Sequence, residues 1–342
     1  MKFDAILAVD AQHLSDLPHI AQSAEAIGFA GLWTPETQHN GFLPLILASE
    51  HTARIELGTA VAIAFARSPM VTAQMAWDLQ ALSQGRFVLG LGTQVRSHIE
   101  RRFGMPWGGQ PVARLREYIE AVRAIWHAWQ TRERLNFRGQ FYNHTLMTPF
   151  FDPGPIEHPH IPIYIAGVNE GLARLAGEAC DGFHVHPFHS VKYVNEVIKP
   201  QVADGAQRTG RTLSDVVLVS SVFIVTGPDQ ATMTKMREAA REQIAFYAST
   251  PTYRVVLACH GWESVGEQLS KLASMKRWNE MGALITDDML DVLTVQAPLD
   301  QIGMALRTRY EGVLDRIAYY LPYTPGEMDD VWRSTVTAVQ GS

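Results

Sequence analysis

Three short segments of this chain carry side chains and backbone suited to chemistry. The first is Phe87-Val88-Leu89-Gly90-Leu91-Gly92, whose unbroken apolar run fits a parallel strand covered on both faces. Gly90 and Gly92 leave the end of that run bare, which clears room for a flat ligand against the backbone or lets neighbouring strands pack closely. Thr93, Gln94 and Arg96 follow at once and offer hydroxyl, amide and guanidinium groups to a polyol chain, a phosphate or a substrate acid. The second segment, Ala166-Gly167-Val168-Asn169-Glu170-Gly171, opens a helix. The first amides of a helix lack internal partners and its dipole favours an anion. Gly167 would permit close approach of a phosphate there, with Val168 and Asn169 supplying amides, although such turns also occur without a ligand. The third segment is His184-Val185-His186, which on a strand turns both rings to one face. A metal would require a third ligand that the neighbourhood does not offer, so no metal is assigned and the pair is read as lining a cofactor pocket or a barrel lumen. Proton transfer falls to other residues. Glu36 would serve if partial burial raised its pKa towards neutrality, or would only hydrogen-bond to a ring or to the fold. His39 and His98 are the alternative acid-base groups.

Holding these groups together requires a repeated frame. Strand-like runs stand at Phe3 to Val9, Gly31 to Thr34, Ile55 to Val61, Phe87 to Leu91, Ile163 to Ala166, Gly182 to His186, Val216 to Val225 and Arg316 to Leu321. Helical patterns separate them, such as Leu17, Ile20, Ala21, Ala24 and Ile27 after a cap at Ser15, and the stripe Tyr118, Ile119, Val122, Ile125, Trp126 and Trp129. Eight alternating strands predict an α/β fold, a (β/α)8 TIM barrel with insertions, whose C-terminal strand ends carry the site. Gly85 can adopt the left-handed conformation that ends the helix before the glycine strand. Two stretches interrupt the repeat: a Pro- and Gly-rich excursion near 130–161, of a kind that often shapes substrate pockets, and a helical insertion near 249–310. Residues 1–342 are read as a single domain.

Composition narrows the function. The chain has 29 basic and 35 acidic residues, a net charge of -6, and no basic cluster that would track phosphates along nucleic acid. No membrane span or signal segment is expected. Cys180 and Cys259 give no disulfide framework, which fits a reducing cytoplasm, and both read as small buried hydrophobes.

The order and spacing of several blocks add a family resemblance. Ala24-Glu25-Ala26-Ile27-Gly28-Phe29-Ala30-Gly31-Leu32-Trp33-Thr34-Pro35-Glu36, Arg54 to Val61, Ser68-Pro69, the glycine strand, Ile163 to Gly167 and Ala176 to Phe183 together resemble the luciferase-like flavin and deazaflavin oxidoreductases. Phe65-Ala66-Arg67-Ser68-Pro69-Met70 and Gln94 to Glu100 resemble the members that use the deazaflavin coenzyme F420. The resemblance implies a bacterial-luciferase-like barrel that transfers hydride between deazaflavin C5 and a small organic substrate. It leaves as alternatives an FMN-dependent monooxygenase and a non-catalytic flavin-binding barrel. It places cofactor contacts at Thr59, Ala60 and Val61, with a cis peptide between Ala60 and Val61 against one ring face, and the phosphate at residues 166–169. The Asp-His dyad and the glutamate of deazaflavin sugar-phosphate dehydrogenases fall here at Glu36-Thr37 and Gln94-Val95. That histidine and that glutamate are missing, which argues against sugar-phosphate oxidation. A homodimer is implied through helices of the second and third units, where Met70, Met75 and Trp77 stand in the sequence.

Overall fold

The computed structural model describes residues 1–7, 14–326 and 328–341. Val9, the expected end of the first strand, lies outside the described residues. In chain order the strands are β1 (Lys2–Leu7), β2 (Gly31–Thr34), β3 (Glu56–Thr59), β4 (Ala62–Ile63), β5 (Phe87–Gly92), β6 (Phe137–Arg138), β7 (Asn143–His144), β8 (Ile163–Gly167), β9 (Gly182–Val185), β10 (Val217–Val225), β11 (Thr294–Gln296) and β12 (Arg316–Tyr323). The main helices are α1 (Leu17–Ile27), α2 (Leu43–His51), α3 (Pro69–Leu82), α4 (Arg96–Arg101), α5 (Pro111–Thr131), α6 (Glu170–Ala179), α7 (Val191–Tyr193), α8 (Lys199–Gln207) and α9 (Gln230–Ala248). They continue as α10 (Arg254–Ala258), α11 (Glu263–Ser274), α12 (Asp287–Leu293), α13 (Ile302–Tyr310) and α14 (Asp329–Gln340).

All eight expected strands form, and they close a parallel barrel in the order β1, β2, β3, β5, β8, β9, β10, β12 and back to β1. Apolar side chains on their outer faces meet the buried stripes of the helices, including Leu17, Ala21, Ala24 and Ile27 of α1 and Tyr118, Ile119, Val122, Ile125, Trp126 and Trp129 of α5. Inside the barrel a separate layer is packed from Trp33, Val88, Tyr164 and Val219. Gly58 makes this layer possible, because a Cβ there would stand 2.2 Å from the Trp33 ring. Below the layer, Arg316 donates from Nε and Nη2 to the Asp4 carboxylate at 2.8 Å each and bonds Glu56, and its guanidinium lies 5.0 Å from the Trp33 ring. This ionic cluster plugs the N-terminal end.

Several local readings differ from the expectation. The third strand stops at Thr59, and the chain resumes as β4, which pairs with β5 after the interruption at Ala60 and Val61. Helix α1 starts after Asp16 with no side-chain cap, so Ser15 does not cap it. Gly85 does take the left-handed conformation, at φ 86°. The insertion near 249–310 contributes a short strand as well as helices, since β11 pairs in parallel with the end of β10. The excursion near 130–161 packs outside the barrel: Trp77 Nε1 donates to the Gly154 carbonyl at 3.2 Å and Gln80 Nε2 to that of His160 at 2.9 Å. Trp77 is therefore core, 1 % exposed, and not a dimer contact. Cys180 is buried, and burial pushes its thiol up to about 12, whereas Cys259 is half-exposed.

Candidate functional site

A cleft of two lobes opens at the C-terminal ends of the strands. One lobe, about 540 Å³, is walled by Ile6, Leu7, Trp33, His184, Ser220, Ser221 and Tyr319 to Pro322. The other, about 560 Å³, is walled by Glu36, Gly92 to Arg96, Trp107, Val168, Asn169, Leu172 and Tyr253. Pro35, Thr37, Ala60, Val61, Ala166, Gly167 and His186 line both, so the lobes meet at the Ala60-Val61 bulge. The peptide bond between those two residues is cis, as the resemblance implied. A larger cavity of about 1090 Å³ at the opposite end is bordered by the Lys2, Glu56 and Arg316 ion pairs and belongs to the plug described above.

The second lobe carries Gln94, Arg96 and Asn169. Strand β5 delivers Thr93 and Gln94 to it, with Gln94 in the left-handed region at φ 59°. Arg96 opens α4, and its Nε donates to both Glu100 oxygens at 3.0 Å in a pair that is mostly exposed. Such a surface pair holds its partners weakly, so this guanidinium is available to an anion. Across the lobe, β8 hands over to α6 through Ala166, Gly167 and Val168, with Asn169 as the N-cap. The Asn169 side chain accepts from the Leu172 N–H at 3.0 Å, which satisfies one of the free helix amides and leaves others directed at the turn.

The glycines of β5 serve the bulge. A Cβ on Gly90 would lie 1.8 Å from the Thr59 carbonyl oxygen, and one on Gly92 would lie 2.7 Å from the Val61 side chain. The room they clear is taken by the chain itself, and only Gly92 reaches the cleft. Thr59 is fully buried; its hydroxyl donates to the Gly90 carbonyl at 2.7 Å and accepts from the Gly90 N–H at 3.0 Å. It ties β3 to β5 and does not line the cleft.

The acid-base residues are placed differently from the expectation. Glu36 reaches the cleft wall, but both carboxylate oxygens are engaged by Arg67: Nη1 donates at 2.8 Å, Nη2 makes the second bond, and the Ile63 N–H donates at 2.6 Å. This geometry anchors β4 and engages both carboxylate oxygens, with two bonds on Oε2 and one on Oε1. His39 lines neither lobe, and His98 projects from the exposed face of α4. His184 and His186 do share the cleft. Burial pushes both imidazoles down to about 3, so they are neutral at physiological pH. His184 packs edge-on to Trp33 at 5.3 Å, with its Nε2 buried and unpartnered. His186 Nδ1 accepts from the Phe188 N–H at 3.1 Å. Among the described residues no group of three or more His, Cys, Asp or Glu side chains is arranged to hold a metal.

Sequence reasoning missed an aromatic cluster. His186 lies edge-on to Tyr247 at 4.7 Å and 4.5 Å from Tyr253; Tyr320 packs at a tilt 4.7 Å from Phe223, and the Tyr247 and Tyr320 hydroxyls hydrogen-bond. Tyr320 could have been found as a polar aromatic at the end of the eighth strand. Tyr247 and Tyr253 could not, because they come from α9 and the turn after it. No residue near 130–161 lines the cleft, so that excursion does not shape it.

The model of the luciferase-like monooxygenase family matches residues 2–316. An uncharacterised protein of Mycobacterium tuberculosis is 47% identical over 314 residues, covering 91% of this chain and 92% of that one. The 5,10-methylenetetrahydromethanopterin reductase of Archaeoglobus fulgidus is 27% identical over 313 residues, 88% of each chain. In fold, the coenzyme F420-dependent tetrahydromethanopterin reductase of Methanopyrus kandleri superposes with a TM-score of 0.79 at 20% identity, over 99% of this chain and 98% of that one.

Proposed function

The chain belongs to the luciferase-like monooxygenase family, and on that premise we propose that it is an oxidoreductase using coenzyme F420 to reduce or oxidise a small organic molecule. The observation that carries this reading is one cleft whose two lobes meet at the Ala60-Val61 bulge, one lined by Arg96 and the amide side chains of Gln94 and Asn169, the other by no lysine or arginine. A cofactor with a flat ring and a phosphate-bearing tail fits that division. Thr93, Gln94, Arg96 and the turn Gly167-Val168-Asn169 would hold the tail and its phosphate, while Ala60, Val61, Ala166 and His186 would flank the ring. When bound, the deazaflavin supplies or accepts hydride; the protein fixes the ring face, excludes water and positions the substrate. The F420-dependent names among relatives, those of the glucose-6-phosphate dehydrogenases of Amycolatopsis mediterranei and Nocardia farcinica, support the cofactor class.

Within this reading Glu36 is a positioning residue, and His39 and His98 take no part in proton transfer. The protein acts in the cytoplasm as a homodimer, in keeping with two unpaired cysteines and with Leu43, Ile46 and Val71, 56%, 41% and 44% exposed on α2 and α3; sedimentation at two concentrations checks the dimer. Among the described residues no helix is long and apolar enough to cross a membrane. The function is tested by an anaerobic screen of alcohols and carbonyl compounds that follows the visible absorbance of the deazaflavin. Turnover that proceeds without dioxygen is expected. Turnover that requires dioxygen and reduced FMN would assign a monooxygenase instead.

A further inference from the structure

Resting on the F420 reading, we propose that the lobe walled by His184, Ser220 and Tyr320 takes an uncharged carbonyl compound or the corresponding alcohol, and that Tyr320 is the catalytic residue that exchanges its proton. Among the described residues this lobe is lined by no lysine or arginine, and its one carboxylate, Asp4, is bound by Arg316 at the floor. An anionic substrate would lose its hydration there with no cation to offset the cost. Few polar groups are free to meet a neutral oxygen. Ser220 Oγ is already bonded to the Val185 carbonyl at 2.9 Å. Tyr320 lines the lobe, fixed by Phe223 at 4.7 Å, while Tyr247 stands behind it, outside the lining, with its hydroxyl bonded to that of Tyr320.

The direction of that bond follows from placement. Tyr247 stands behind Tyr320 and away from the lining, and we assign its hydroxyl as the donor and the Tyr320 oxygen as the acceptor. The Tyr320 proton is then left for the cleft. The other titratable groups packed around the pair, Tyr253 and His186, are uncharged at neutral pH, since burial raises the phenol and lowers the imidazole. In the reducing direction the carbonyl carbon gains hydride from the reduced deazaflavin, the π pair of C=O passes to oxygen, and the Tyr320 O–H bond breaks as its proton moves to that oxygen. Tyr247 donates to the resulting tyrosinate until water restores the proton, which makes it a positioning residue. In the oxidising direction the same atoms run backwards.

The test uses the F420-loaded protein with cyclohexanone as the neutral probe and glucose 6-phosphate as the charged one. Saturation-transfer NMR is expected to show contact with cyclohexanone and none with glucose 6-phosphate. Tyr320→Phe should lower kcat for cyclohexanone reduction by about 100-fold, the scale of a lost general acid, while F420 affinity and probe contact stay within about threefold. Tyr247→Phe should lower kcat by roughly tenfold while KM for cyclohexanone stays within about twofold, the split expected of a group that acts only through Tyr320. Wild-type protein that binds glucose 6-phosphate in this lobe, that neither binds nor reduces cyclohexanone, or that matches Tyr320→Phe in kcat would overturn the proposal. Failure to load F420 would overturn the functional reading instead, and it is seen separately at the loading step.

Discussion

Individual residues in this cleft divide into those that hold the frame and those that face a ligand, and the distinction is testable. Glu36 and Arg67 form a nearly buried pair, 7% and 13% exposed. Glu36→Ala should destabilise the protein by about 3 kcal/mol in urea unfolding, because it strands a buried guanidinium. Unchanged stability with lost turnover would return Glu36 to the chemistry. His39→Ala and His98→Ala should leave kcat/KM within about twofold, as surface substitutions away from the site do. His189 offers a pH signature. It is 1 % exposed, bonded to the His186 carbonyl at 2.9 Å and to Tyr310 at 3.1 Å, and burial lowers its pKa to about 4. Below the unfolded value near 6.5 the unfolded chain binds the extra proton, so stability is full above that pH and is lost as pH falls towards 4. The slope from this group alone approaches about 1.4 kcal/mol per pH unit, and His189→Gln should flatten that part of the stability profile.

At the scale of elements, the turn from β8 into α6 and the strand β5 carry the most weight. Asn169→Ala removes the N-cap and should cost about 1 kcal/mol of stability, together with weaker F420 binding measured by fluorescence titration. Gly90→Ala should cost about 3 kcal/mol or prevent folding, since its Cβ would collide with the Thr59 carbonyl. These elements were legible in the sequence because local signals specify them: glycines at a strand end, Asn before a helix, continuous apolar runs. What those glycines face was not legible, because it depends on β3 breaking at Thr59 and placing its own backbone in the space. The same holds for Glu36, whose partner Arg67 lies 31 residues away, and for Tyr253, which reaches the cleft only through the folding of the helical insertion, with Tyr247 of α9 packed against it.

At the scale of the molecule, the barrel could be read from eight alternating strands, since each strand announces itself locally and closure follows from their number. Its chemistry could be read only as a class, because substrate choice lies in tertiary contacts among strand ends. The central claim is that this barrel is built around a deazaflavin. Equilibrium binding of purified protein to coenzyme F420 and, separately, to FMN, followed by intrinsic tryptophan fluorescence, tests it most directly. F420 binding with a dissociation constant on the order of 1 μM or below, and FMN binding much weaker, is the expected result; preference for FMN, or binding of neither, would contradict the account.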